Sequence, residues 1–137
     1  MTIDWNSLRA AAEAARAHAY APYSRFQVGA ALLCSDGRIM AGCNVENASY
    51  GLSVCAERNA VFTAVANGAR SFVALAITTS SAYPVAPCGA CRQVLVEFPP
   101  SFEVRCYGSA GAEHHHTSAE LLPSAFSAGD FVPPSSK

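Results

Sequence analysis

Residues 72–107 read FVALAITTSSAYPVAPCGACRQVLVEFPPSFEVRCY. Phe72 to Thr79 are almost continuously apolar, as in a strand covered on both faces. The loop Pro84 to Pro87 then leads into a helix expected over Cys88 to Phe98, which Pro99-Pro100 ends. Phe102 to Tyr107 reads as the next strand. Strands alternating with helices are the signature of an α/β sheet carrying helices on both faces.

Upstream, Phe26 to Cys34 reads as a largely apolar strand, Asp36-Gly37 as a hairpin turn and Ile39 to Asn44 as the return strand, an antiparallel pair. Asp4 can cap a first helix running through Tyr20, with Leu8, Ala11, Ala12, Ala15 and Ala19 on one face and Pro22 beyond its end. Ser53 can cap another helix from about Val54 to Asn67, stopped by Gly68, with Cys55 and Glu57 in its first turns. Downstream, Ser109 to Ser118, with His114, His115 and His116, reads as a solvated loop, since no thiol or carboxylate ligand pattern frames the histidines. Ala119 to Phe126 is expected to form a short helix, and residues 127–137 a poorly ordered Pro/Ser tail.

With 137 residues, about half of them apolar, the chain is expected to form one domain with its own core. It has no apolar run long enough to span a bilayer and no basic segment leading into an apolar stretch at Met1 to Tyr20, which points to the cytoplasm. The net charge is -1 with cations scattered singly, so there is no basic stripe for a nucleic-acid backbone. Six cysteines are an even number, but a cytoplasmic chain with enough apolar residues for a core argues against a disulfide scaffold. Cys34, Cys43 and Cys106 fall in expected strands, where a buried thiol behaves as a small hydrophobe.

The remaining thiols stand in the pattern Cys55-Ala-Glu57-Arg58 and Pro87-Cys88-Gly-Ala-Cys91, each at or near the expected start of a helix. A helix N-terminus favours thiolates through its unpaired N–H groups and the positive end of its dipole, and zinc requires thiolates. Cys88 and Cys91 share a helical face and can grip one ion with Cys55, leaving a fourth position open for water. Three thiolates leave the zinc site with a formal negative charge, and Arg58, three residues after Cys55, can withdraw part of it by hydrogen bonding to sulfur. Glu57 points away from the Cys55 direction and suits general acid/base work better than a fourth ligand. Spacing alone leaves three readings open: a catalytic zinc, a structural four-cysteine zinc that recruits Cys34, Cys43 or Cys106, and a redox C-x-x-C.

Four motifs in order narrow the choice. Besides Cys55 to Ala60 and Pro87 to Gln93, the chain contains Tyr23-Ser24-Arg25-Phe26-Gln27-Val28-Gly29-Ala30-Ala31 and Asn44-Val45-Glu46-Asn47-Ala48-Ser49-Tyr50-Gly51-Leu52-Ser53. Together they resemble the cytidine deaminase family, in its short homotetrameric branch with a three-cysteine zinc site. The resemblance implies a three-layer α/β/α sandwich around a mixed β-sheet. It implies one zinc per subunit on Cys55, Cys88 and Cys91, with Glu57 carrying protons between water, the ring N3 and the departing amino group, as zinc deaminases do. It further implies that Asn44 and Glu46 meet the ribose 3'-hydroxyl, with Val45 beside them, that Phe26 packs on the nucleoside and that the backbone near Ala56 reads the base edge. Tyr50 and Phe126 would complete a neighbour's site in a homotetramer.

The implied reaction is hydrolytic deamination of cytidine and 2'-deoxycytidine, in pyrimidine salvage. A carboxylate at Glu46 facing the sugar would repel a phosphate, which favours free nucleosides over nucleotides or DNA. Another aminopyrimidine such as blasticidin is the alternative substrate within the same chemistry, and a non-enzymatic zinc module the alternative outside it.

Overall fold

The computed structural model describes residues 2–131. Its five strands are β1 (Val28–Cys34), β2 (Ile39–Cys43), β3 (Phe72–Thr79), β4 (Glu103–Tyr107) and β5 (Glu113–Thr117), and its helices are α1 (Trp5–Arg16), α2 (Ala56–Ala66) and α3 (Gly89–Val96). One mixed sheet runs in the order β2-β1-β3-β4-β5. β1 is antiparallel to both β2 and β3, β3 is parallel to β4 across the α3 crossover, and β5 returns antiparallel to β4.

Alternation along the strands sorts the core into two layers. Ala30, Leu32, Leu75, Ile77, Val104 and Cys106 pack under α2 and α3, while Ala31, Leu33, Ala74, Ala76 and Tyr107 pack under α1 through Leu8 and Ala12. The result is the expected three-layer α/β/α sandwich. Two glycines set how closely the helices lie. A Cβ on Gly29 would fall 2.0 Å from the Ala12 carbonyl oxygen, and one on Gly42 would fall 2.5 Å from the Ala60 nitrogen. Backbone therefore touches backbone on both faces, and on the α2 face Ala56, Ala60 and Ala64 keep that approach short.

Several boundaries differ from expectation for identifiable reasons. α1 ends at Arg16 rather than Tyr20, because the Tyr20 N–H donates to the Asn44 carbonyl (3.0 Å) and its own carbonyl accepts from Glu46 (2.8 Å), pairing that would break a helix. Ser53 does not cap α2. Val45 and Val54 exchange two backbone bonds, the Ser53 hydroxyl accepts from Asn47, and Cys55 becomes the N-cap.

The histidine segment is not a loop but β5, paired residue for residue with β4 from Glu103–Thr117 to Tyr107–Glu113. Its side chains are mostly exposed, so it lacks an apolar alternation, and the backbone ladder holds it in place. The helix expected over Ala119 to Phe126 is absent. Pro123 disfavours helical backbone at Leu122 and leaves too few residues to propagate a helix, so the segment runs as turns, with Ser124 at φ 55. Of the expected tail, Ala128–Asp130 forms a 3-10 turn closed by a reciprocal Ser127–Asp130 cap, and residues 132–137 lie outside the described residues.

Candidate active site

α2 and α3 begin side by side, and each begins with a cysteine. Cys55 is the N-cap of α2 and Cys88 the N-cap of α3, both with extended backbone and neither sulfur capping its own helix. Cys91 lies in the first turn of α3. The Cys55 and Cys88 sulfurs are 3.7 Å apart and those of Cys88 and Cys91 3.5 Å, with all three within 4.8 Å of one another. Thiolates at about 2.3 Å around a tetrahedral zinc stand roughly 3.7–3.8 Å apart, so the Cys55–Cys88 and Cys88–Cys91 separations match those of ligands to one ion, and the whole triad is close enough to share it. All six cysteines are unpaired, and Cys34, Cys43 and Cys106 stay out of the cluster, which removes the four-cysteine structural alternative.

The surroundings of the triad favour a thiolate at Cys55. The neighbouring Cys91 thiol, followed by Arg58 and Cys88, holds the Cys55 thiol below the ordinary range against the effect of burial. The proximity of Cys55, with burial and the Glu57 charge, pushes the Cys91 thiol up. The Arg58 guanidinium nitrogen Nη2 is 3.6 Å from the Cys55 sulfur. Its Nε is buried and has no hydrogen-bond partner among the described residues.

Glu57, in the first turn of α2, is 5% exposed. Burial pushes its carboxyl up to about 7, with the Cys55 charge acting in the same direction. A carboxyl poised near neutrality can both accept and release a proton at working pH, which a general acid/base requires.

The cavity in front of Glu57, about 330 Å³ in volume, is also bordered by Cys55, Cys88, Phe26, Asn44 and Glu46. The Asn44 amide is partly committed. Its Oδ1 accepts the Val28 N–H (2.9 Å) and its Nδ2 donates to the Phe26 carbonyl (2.7 Å), leaving one N–H free. Glu46 accepts the backbone N–H groups of Tyr23 (3.0 Å) and Ser24 (3.1 Å) together with the Ser24 hydroxyl, and the hydroxyl bond, with those N–H groups behind it, holds the carboxyl below the usual range.

The other residues singled out from sequence fall nearby or elsewhere. Tyr50 is 75% exposed on a short 3-10 turn, where it meets the Tyr23 ring edge-on and borders a hollow that shares Ser24 and Glu46 with the main cavity. Ala56 is fully buried at the start of α2, and Val45 is half-exposed in its backbone bridges. Phe126 is not among the residues lining its own chain's cavity; it packs on Phe131, and its carbonyl is held by Gln93 at 2.8 Å. Sequence reasoning passed over Ser24, Thr79, Val85 and Ala86, which also line the cavity. It likewise passed over Arg92, which donates to the carbonyls of Pro87 (2.7 Å) and Leu121 (3.0 Å) and so ties the loop before Cys88 to the C-terminal segment.

Residues 1–104 match the family signature described as the cytidine and deoxycytidylate deaminase zinc-binding region. The chain belongs to that family. It is 50% identical over 129 residues to the cytidine deaminase of Sporosarcina psychrophila, covering 93% of this chain and 95% of the relative. It is 53% identical over 117 residues to the cytidine deaminase of Halalkalibacterium halodurans, covering 85% and 89%. The crystal structure of cytidine deaminase from Burkholderia pseudomallei superposes with a TM-score of 0.86 at 51% identity, covering 92% of this chain and all of that one. Family membership accounts for the zinc-fitted thiol triad and for the mixed sheet between helical layers. Among the described residues, no helix is long and apolar enough to cross a membrane.

Proposed function

We propose that the chain catalyses zinc-dependent hydrolytic deamination of cytidine and 2'-deoxycytidine to uridine and 2'-deoxyuridine, releasing ammonia, as a step of pyrimidine salvage. The observation that carries this reading is the buried carboxyl of Glu57 beside three sulfurs spaced for zinc, in a cavity whose other wall presents Asn44 and Glu46.

Cys55, Cys88 and Cys91 hold the ion. When bound, zinc supplies Lewis acidity that makes water a usable nucleophile at neutral pH. The remaining steps belong to the chain. Glu57 takes a proton from the attacking water and delivers it to the ring N3 as the water oxygen adds to C4. It then moves the second proton to the amino nitrogen, the C4–N4 bond breaks, and ammonia leaves. Arg58, against the Cys55 sulfur, offsets the surplus negative charge of three thiolates and preserves the site's electrophilicity. Phe26 packs against the nucleoside, the backbone at Ala56 reads the base edge, and Asn44 and Glu46, with Val45 between them, meet the sugar 3'-hydroxyl.

Tyr50 and Phe126 complete the site of a neighbouring copy in a homotetramer. This is supported by the 75% exposure of Tyr50 and 58% of Phe126, and by Leu52 and Phe62, also exposed. Six unpaired thiols suit the reducing cytoplasm.

The test is to incubate the zinc-loaded protein with cytidine and quantify uridine and ammonia. Equimolar release of both is expected. Absence of product, with the metal shown to be present, would falsify the assignment.

A further inference from the structure

The turn at Tyr23–Phe26 is built around the Glu46 carboxylate. Oε1 accepts the N–H groups of Tyr23 and Ser24 at 3.0 and 3.1 Å, and Oε2 accepts the Ser24 hydroxyl. The Ser24 oxygen in turn accepts the Phe26 N–H at 3.0 Å, so one hydroxyl links the backbone of the nucleoside-facing phenylalanine to the carboxylate. Between them Arg25 stands at φ 58, a left-handed conformation that a long side chain adopts only where the surroundings impose it. The chain holds a strained residue and folds three donors onto a carboxylate near the surface.

A carboxylate has about four lone-pair positions. Three are taken here by the turn, which leaves one, on Oε2, beside the Ser24 hydroxyl. Without Ser24, Oε2 would have two open positions and the side chain would lose a fixed rotamer. The same hydroxyl spends its only proton on Glu46 and has none to offer a substrate. Ser24 and Glu46 are also the two residues that border both the cavity containing Glu57 and the hollow containing Tyr50, where a sugar reaching outward from the base would lie.

We propose that Ser24 is a positioning residue for sugar recognition: its hydroxyl, fixed by the Phe26 N–H, leaves Glu46 a single acceptor position and so creates the requirement for a free 3'-hydroxyl on the nucleoside. The proposal rests on the reading that Glu46 meets that hydroxyl. The low carboxyl pKa of Glu46, caused first by the Ser24 hydrogen bond, agrees with an acceptor kept ionised at working pH.

A two-by-two comparison of enzyme and substrate tests it: wild type and Ser24→Ala, each with cytidine and 3'-deoxycytidine. Loss of a hydrogen bond to a charged acceptor costs roughly 10- to 100-fold, so wild type should lose that factor in kcat/KM on 3'-deoxycytidine. In Ser24→Ala the penalty should shrink several-fold, with the change in KM for cytidine and kcat within about threefold of wild type. Ser24→Thr should restore the wild-type penalty. Ser24→Gly, which also deletes the hydroxyl, should agree with Ser24→Ala. If wild type discriminates but Ser24→Ala discriminates equally, Ser24 is only a structural turn residue and the proposal is overturned. If wild type itself does not distinguish the two nucleosides, the Glu46 reading fails and the proposal falls with it.

Discussion

Glu57 and Glu46 sit in one cavity and have been tuned in opposite directions. Burial raises Glu57 toward neutrality, whereas the Ser24 hydroxyl and two backbone N–H groups hold Glu46 ionised. A proton carrier and a permanent acceptor are thereby made from the same side chain. For Glu46 the sign follows from linkage. Its folded pKa is depressed, so the stability it contributes is fully present above the ordinary value and is lost as pH falls through the folded one. The difference in urea midpoint between wild type and Glu46→Gln should therefore stay constant from neutral pH down to the ordinary 4.5 and narrow below it. A difference that narrows already near neutrality would contradict the assigned direction. Protonation of the thiols at low pH affects both proteins alike and cancels in the comparison. That the three thiols, Glu57 and Arg58 lie together was legible because Cys88–Cys91 and Cys55–Arg58 are three residues apart and a zinc site calls for a further thiolate. Ser24 was not, since its partner Glu46 is 22 residues away and a serine in a turn has many ordinary uses.

At the scale of elements, the site depends on where two helices begin. Cys55 and Cys88 occupy the same N-cap position on α2 and α3, and α2 is held against β2 through Gly42. Gly42→Ala would drive a methyl group into the Ala60 nitrogen and lift the start of α2. It should destabilise the fold by about 1–3 kcal/mol and reduce turnover by displacing Cys55 and Glu57. Gly51→Ala, with no atom within 4 Å of the added carbon, serves as the control in urea unfolding. Equal midpoints for the two variants would rule out the close approach. The buried strands β1 and β3 were readable because their apolar runs answer to two covered faces. β5 was hidden because Glu113 to Thr117 form an edge, where hydrogen bonding to β4 leaves the side chains free to be polar. The missing helix after Ala119 shows the opposite error, an apolar helical pattern broken by Pro123.

For the whole molecule, Phe126 is not among the residues that line its own chain's cavity, so a site completed by neighbouring copies predicts that assembly and activity rise together. Light scattering should give the mass of a tetramer, and Phe126→Ala should lower kcat/KM more than it lowers the unfolding midpoint. A fully active monomer would contradict shared sites. The layered architecture was legible because α1 and the α2–α3 pair each carry an apolar face that needs its own side of the sheet. An exposed aromatic such as Phe126 has the same sequence signature whether it meets solvent or a neighbour.

If three thiolates hold the ion and Glu57 moves the protons, metal binding and turnover separate in Glu57→Gln. Metal content and cytidine turnover measured on the same preparation should show one zinc per chain, as in wild type, with kcat reduced by about 100- to 10,000-fold. Turnover within tenfold of wild type at full zinc occupancy would remove Glu57 from the mechanism.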